Sequence, residues 1–295
     1  MGHIPHHCDI SSGWWLVTVL LVPRPCVAVA AQVIDGGSVI SSHHSRPGGF
    51  QLRGQPEHAM TIDKDVERLV EILLLGNRAE LRIFIDNRLE DGIPEHDLLH
   101  HVVHEATRII DRLYREDRMT AVAVNSAVRL LRLAATRVAE HATMPPKTQR
   151  RITMYCGPNH TEELFAEVMA WMLEFDGHEV QFGGGGISAD EIQASVASNT
   201  PDVLLLYASS PADAPGIRML IDSIREQGAC TEMQIAVGGG VFDRAPGLAE
   251  EIGADLWAIN DDSLREGLIH EPERRAFPEQ RTVGRGRRLP NRAVA

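Results

Sequence analysis

From residue 152 onward the chain alternates short apolar runs with amphipathic stretches, and this alternation leaves few folds open to it. Residues 152–156, 180–182, 203–207, 235–237 and 256–259 have the length and composition of strands, and helical patterns fill 161–175, 188–199, 215–227 and 245–252 between them. Parallel strands need long crossovers, so strand and helix in repetition predict a parallel doubly wound sheet. The expected fold class is therefore α/β, with a flavodoxin- or Rossmann-like sheet of five strands over residues 151–268. Ser188, with Glu191 three residues on, has the form of a capping box and marks one helix start.

The preceding segment has a different period. Val66, Leu69, Val70, Ile72 and Leu73 recur at helical spacing, followed by Leu81, Phe84, Ile85 and Leu89. Asp91-Gly92 stops that second helix, and Pro94 stands where a first helical turn tolerates it. Leu98, Leu99, Val102, Val103, Ala106, Ile109, Ile110 and Leu113 form a third stripe, and Val124, Val128, Leu131, Ala135 and Val138 a fourth. Residues 60–144 thus read as a four-helix bundle, a cap joined to the sheet by a proline linker at 145–150.

Charge narrows the possible partners. Lys and Arg number 29 against 41 Asp and Glu, for a net charge of -12. Residues 1–59 are balanced and the Arg-rich stretch 269–295 carries +4, so residues 60–268 hold about -16. A surface that neutralises a nucleic-acid backbone is not expected outside that tail, which reads as disordered. No helix-turn-helix is visible. Residues 1–59 read as a disordered leader; Ala28-Val29-Ala30 after the apolar run 14–22 would suit a cleaved secretory signal, but Asp9 and the absence of Lys or Arg before the run argue against one. His3, His6, His7 and Cys8 in that leader could hold a metal only at an unanchored terminus. Cys8, Cys26, Cys156 and Cys230 show neither metal-ligand spacing nor a disulfide framework, which fits a reducing cytoplasmic setting, and no run is long enough for a bilayer.

In a doubly wound sheet, ligands bind at the carboxyl ends of the strands. The loops expected there are Gly157-Pro158-Asn159-His160, Ala208-Ser209-Ser210-Pro211 and Gly238-Gly239-Gly240, where glycines let backbone approach a ligand and a small Ser lines a cavity without filling it. His160 stands at the mouth of this edge as a candidate metal ligand. Asp202 and Asp213 border the third strand, but no acidic pair follows the first, which counts against a magnesium-holding receiver domain. His100, His101 and His104 cluster on one helix without an H-E-x-x-H motif and read as surface histidines.

Helical bundle, proline linker and five-stranded sheet together resemble the cobalamin-binding module of methionine synthase, corrinoid methyl-carrier proteins and cobalamin-dependent photoreceptor regulators, over residues 62–267. Where that family has Asp-x-His-x-x-Gly, this chain reads Pro158-Asn159-His160-Thr161-Glu162-Glu163. The histidine is kept and both flanking anchors are replaced. Asp176-Gly177-His178-Glu179-Val180, Ser209, Val237-Gly238-Gly239-Gly240 and Ile252-Gly253-Ala254-Asp255 match the family better. The resemblance implies that His160 ligates cobalt, that Gly157, Asn159, Ser209, Ser210, Gly238, Gly239 and Gly240 border the cofactor, and that the Ser and Gly-Gly positions line a slot for its nucleotide tail. It also places Tyr114 at the family's upper-face Trp, with Val124-Asn125 where the family has Glu-His.

The expected cofactor is cobalamin, with haem or another tetrapyrrole as an alternative. The expected function is a corrinoid-binding sensory or regulatory module that acts through a protein partner, with homo-oligomerisation open and no enzymatic activity favoured. Two alternatives stand beside it: a methyl-carrier subunit of a methyltransferase system, and a ligand-free receiver-like signalling domain, for which Pro201-Asp202-Val203-Leu204-Leu205-Leu206 followed by Pro211 speaks.

Overall fold

The computed structural model describes residues 56–281, apart from Ala229. The proposed leader, its histidines, Cys8 and Cys26 lie outside the described residues. Helices come first: α1 (Pro56–Leu75) and α2 (Arg78–Glu90), then α3 (Glu95–Asp97), a π-helical stretch (Leu98–Val103) and α4 (His104–Arg115) in one unbroken run, then α5 (Ala121–His141). Side chains set their starts. Asn77 accepts the Glu80 amide ahead of α2, and Thr120 accepts the Ala123 amide ahead of α5, each satisfying a donor that the first turn leaves unpaired.

Beyond an extended segment the sheet begins. β1 (Arg151–Cys156), α6 (His160–Phe175), β2 (Glu179–Gly185), α7 (Ala189–Asn199), β3 (Val203–Tyr207), α8 (Ala214–Gln227) and β4 (Gln234–Gly238) alternate as expected. All pairings are parallel and the order is β2-β1-β3-β4, so the strand sequence turns around between β1 and β3. After β4 come the short α9 (Gly240–Arg244) and α10 (Leu248–Ile252), then α11 (Asp261–His270).

Among the described residues the sheet has four strands, not five. The fifth apolar run touches β4 through one bridge, Ala236 to Leu256. Asn260 then caps α11 by accepting the Ser263 amide, and this draws the chain off the sheet before a strand can form.

Side-chain alternation along the strands feeds two cores. Ile152, Met154, Val203, Leu205 and Tyr207 face α6, α11 and the helices of the amino-terminal segment, which share a single apolar cluster with them. Tyr155, Leu204, Leu206, Ile235 and Val237 face α7, α8 and α10 on the other side. Both faces are covered, as a parallel sheet requires.

The Arg-rich tail corrects the expectation of disorder as far as residue 281. Residues 271–281 strap the β4 edge. Gln234 donates its side-chain amide to the carbonyls of Glu271 (2.9 Å) and Arg274 (3.0 Å), and Arg281 reaches the Ile252 carbonyl (2.7 Å) and the Asp222 carboxylate (2.6 Å). The arginines find carbonyls and carboxylates, while the outer backbone of β4 is paired by Asp255 and Leu256. Asp255, whose side chain is 5% exposed, is the anchor. It accepts the amides of Ile235 (2.7 Å) and Ala276 (2.8 Å) and a guanidinium hydrogen bond from Arg225 (2.7 Å). Asp255→Ala strands all three donors and is expected to cost about 2–4 kcal/mol in urea unfolding, far more than a surface substitution.

Candidate functional site

The loops after β1, β3 and β4 converge at the carboxyl edge of the sheet, and α4 crosses above them. Between them lies a cleft of about 320 Å³, walled by His104, Arg108 and Arg112 from α4, Phe165 from α6, Tyr207 and Ser209 from β3 and its loop, and Gly240, Asp243, Arg244 and Asp261 beyond. This is the lower end of the size range of small-molecule sites, and the lining is mostly charged, with Phe165 and Tyr207 as its aromatic side chains besides His104. Arg244 donates to the Ser209 carbonyl at 2.6 Å and so fixes the loop after β3. At the back of the cleft, Tyr207 donates its hydroxyl to Asp261 (3.0 Å), and His104 Nε2 meets the same carboxylate at 3.0 Å. Tyr207 is fully buried, and burial with the Asp261 charge beside it pushes its phenol well above the ordinary value. Burial, then the Asp261 charge, raises the Asp243 carboxyl to about 6.

The histidine cluster departs from the sequence reading. His104 is 5% exposed rather than on the surface. His96, His100 and His104 stack in a row, with ring centroids 5.7 and 6.2 Å apart, and His100 Nε2 lies 2.5 Å from Asp262. The π-helical stretch turns these rings toward the first turn of α11, whose carboxylates 157 and 162 residues away could not be paired with them by spacing. Arg265 adds a two-pronged contact with Asp176, both at 2.7 Å. Among the described residues no group of three or more His, Cys, Asp or Glu is arranged to hold a metal.

The residues that the sequence singled out do not all meet in this cleft. Ser209 and Gly240 line it, but Tyr114 and Asn125 do not; Tyr114 is 41% exposed, and Asn125 is on the exposed side of α5. Asn159 caps α6 by accepting the Thr161 amide at 3.0 Å. Ser210 accepts the Ala212 amide within its own loop. His160 opens α6 with its side chain 87% exposed, its Nδ1 3.6 Å from the Glu163 carboxylate. Gly238 lies against Leu264 and Tyr207, and Gly239, at φ +97°, against the Ala208 backbone, so both serve close packing.

The structure also brings together two carboxyls that the sequence did not pair, Glu162 from α6 and Asp213 from the loop after β3. Glu162, 3% exposed, accepts the Ser209 amide at 2.7 Å, and its other oxygen pairs with the Asp213 carboxyl, a contact that requires one of the two to hold a proton; both crowd the space a Gly157 side chain would fill. Burial raises both carboxyls from their ordinary range. Glu162 lies on α6 and Asp213 just ahead of α8, 51 residues on, which no local motif reveals. Burial, with Glu163, Glu162 and Asp213 adding charge, pushes the neighbouring Cys156 thiol up to about 12. On the α7 and α8 side of β1 and β3 a second cavity of about 440 Å³ reaches Gly157 and Asp213 and is walled by Ile187, Ile192 and Leu220.

No protein-family model matches the chain, and no curated protein matches it. Among solved structures it is similar to the monomethylamine corrinoid protein of Methanosarcina barkeri, with a TM-score of 0.58 and 16% identity over 69% of this chain and 96% of that one. A cobalamin-binding protein from Desulfitobacterium hafniense DCB-2 gives a TM-score of 0.40 and 13% identity over 70% of this chain and 95% of that one. The methanol:cobalamin methyltransferase complex of Methanosarcina barkeri gives 0.39 and 15% over 73% of this chain and 84% of that one. Only the first is similar enough for a shared fold to be read from it. At 16% identity the likeness is one of fold: the chain has the helices and parallel sheet of a corrinoid protein.

Tested against that group, the residues divide. At about 320 Å³ and with a mostly charged lining, the cleft does not enclose a whole corrinoid and can take only part of one. Of the positions that the resemblance assigns to the cofactor, Gly157 is crowded by Glu162 and Asp213 and Gly238 by Leu264, while Ser209 and Gly240 line the cleft. Pro158 gives His160 no acceptor.

The contact between α11 and the π-helical stretch sets a pH dependence. The Asp262 carboxyl is held at about 2, chiefly by the His100 hydrogen bond, against an ordinary 3.8. A depressed carboxylate contributes stability that is complete above its unfolded value and lost as pH falls through the folded one. Asp262→Asn is therefore expected to lower the thermal midpoint at pH 5, and the gap to the wild type to close as pH falls from 4 toward 2.

Proposed function

We propose that the protein binds a corrinoid in the cleft between α4 and the carboxyl edge of the sheet. The observation that carries this reading is the cleft itself, which lies where doubly wound sheets take their ligands and is roofed by a helix. The fold likeness to a corrinoid protein supports the class of ligand, and gives haem no such support.

The role is sensory or regulatory. His104 and Asp261 wall the cleft and also join α4 to α11, so a ligand there competes with or reinforces the contact that holds the helical segment to the sheet. Differential contact in two arrangements is what a ligand needs to shift an equilibrium between them. A methyl-carrier role is the second reading, favoured by the structural neighbour, a monomethylamine corrinoid protein. Among the described residues no helix is long and apolar enough to cross a membrane.

Purified protein mixed with hydroxocobalamin or adenosylcobalamin and then desalted is expected to keep near-stoichiometric colour. Ser209→Trp, which fills the cleft, should lower affinity at least about tenfold, equivalent to ~1.4 kcal/mol. Protein that elutes colourless at saturating ligand leaves the receiver-like, ligand-free reading in its place. Changes in solution scattering on ligand addition speak for the regulatory role, and methyl transfer to an acceptor in a partner extract for the carrier role.

A further inference from the structure

The strand order turns around between β1 and β3, so the chain leaves β1 toward α6 on one face of the sheet and leaves β3 toward α8 on the other. Loops that part in this way leave a crevice beyond the strand ends, and open parallel sheets take ligands there. The cavity of about 440 Å³ lies in this crevice on the α7 and α8 side. It rests against Tyr155 and Cys156 at the end of β1 and against Leu206 and Tyr207 at the end of β3. It is separate from the cleft under α4, since of the residues that line the two only Tyr207 is shared.

The lining is apolar but for one acidic group. Ile187, Ile192, Ile217 and Leu220 form walls, and Ile187 keeps 39% of its surface exposed, area that a guest would cover. Gly157 and Gly216 line the space without filling it. No Arg, Lys or His is among the lining residues, and Asp213 is the one carboxyl. Asp213 stands at the N-cap of α8, a position where an aspartate usually accepts a first-turn amide, yet its side chain makes no capping hydrogen bond. Its partner is Glu162, and a carboxyl paired with a carboxylate carries one negative charge between the two. Neither has an arginine or lysine partner among the described residues. A partly buried negative charge without a cation is poorly compensated; it repels carboxylates and phosphates and favours a cationic head that can donate hydrogen bonds to it.

We propose that this cavity is a second ligand site, which takes a small organic cation, with an apolar or aromatic body against Ile187, Ile192 and Leu220 and an amidinium or ammonium head on Asp213. The size suits such a molecule, being within the range of small-molecule sites. The site stands apart from the corrinoid reading, and its test uses no corrinoid.

The test is calorimetric titration of the full chain with benzamidine, benzamide and benzoate, which share a ring and differ in the charge of the head. Benzamidine is expected to bind saturably, benzamide at least about tenfold more weakly, or ~1.4 kcal/mol, and benzoate not at all. Asp213→Asn keeps the shape of the side chain and is expected to lower affinity for benzamidine at least about tenfold, while that for benzamide changes less than about threefold. Gly216→Phe supplies a variant that leaves the fold intact, because a Cβ there meets nothing within 4 Å and glycine is a poor helix former. By narrowing the cavity it is expected to weaken benzamidine at least about tenfold. Absence of saturable benzamidine binding at millimolar concentration overturns the proposal. So does equal affinity for benzamidine and benzoate, or benzamidine binding that both variants leave unchanged while keeping the wild-type circular dichroism.

Discussion

Everything in this structure depends on α6 being buried on almost every side. Leu164, Phe165, Val168, Met169, Met172 and Leu173 are all nearly or fully inaccessible, and they face the sheet in one direction and the helical segment in the other. A helix with so wide an apolar face, its Glu163, Glu167 and Glu174 confined to a partly exposed margin, is stable only when packed on both sides. Six such side chains contribute on the order of 10 kcal/mol of gross burial free energy, enough to make separation of helices from sheet a loss the fold could not sustain without a compensating contact. The cleft therefore has a fixed floor, with Phe165 part of both the wedge and the wall.

If the floor is fixed, what can move is the outer end of the interface, where α4 and the π-helical stretch meet α11. That contact is built from histidines on carboxylates rather than from apolar surface. Pairs of this kind are individually weak when partly exposed, and the Asp262 side chain is 57% exposed, whereas Asp261 at 12% and His104 at 7% sit deeper. The seam thus grades from a deep, well-paired end at the cleft to a shallow, titratable end at the surface. A ligand in the cleft touches the deep end, where a change of contact has most effect.

Local pattern made the architecture legible. Strand runs, helix periods and caps such as Ser188 with Glu191 are properties of neighbouring residues, and they placed β1 to β4 and their crossovers within a few positions. What failed did so for physical reasons. The run 256–259 had strand composition, but composition cannot register the competing cap at Asn260. The tail's arginines looked like a solvated charge run because their acceptors, among them the Asp222 carboxylate and the Ile252 carbonyl, are brought to them only by the folded chain. His104 looked like a surface residue because Asp261 is 157 residues away. The site was legible as three loops on one edge, and illegible in the pairing of Glu162 with Asp213.

That pairing bears on how far a resemblance of fold can carry function. The edge loops kept the glycines and the serine of the corrinoid pattern, which by themselves suggest an intact slot. Yet Gly157 is small here so that two carboxyls may crowd it, Gly238 so that Leu264 may cover it, and Ser209 offers its backbone amide to Glu162 rather than to a guest. The same small residues that admit a ligand in one protein admit a side chain in another, because close approach is indifferent to what approaches. What separates the two cases is whether the neighbouring positions bring something large and well anchored into the space. In this chain Glu162 does so at Gly157 and Leu264 at Gly238, so the glycines alone are no sign of an open slot.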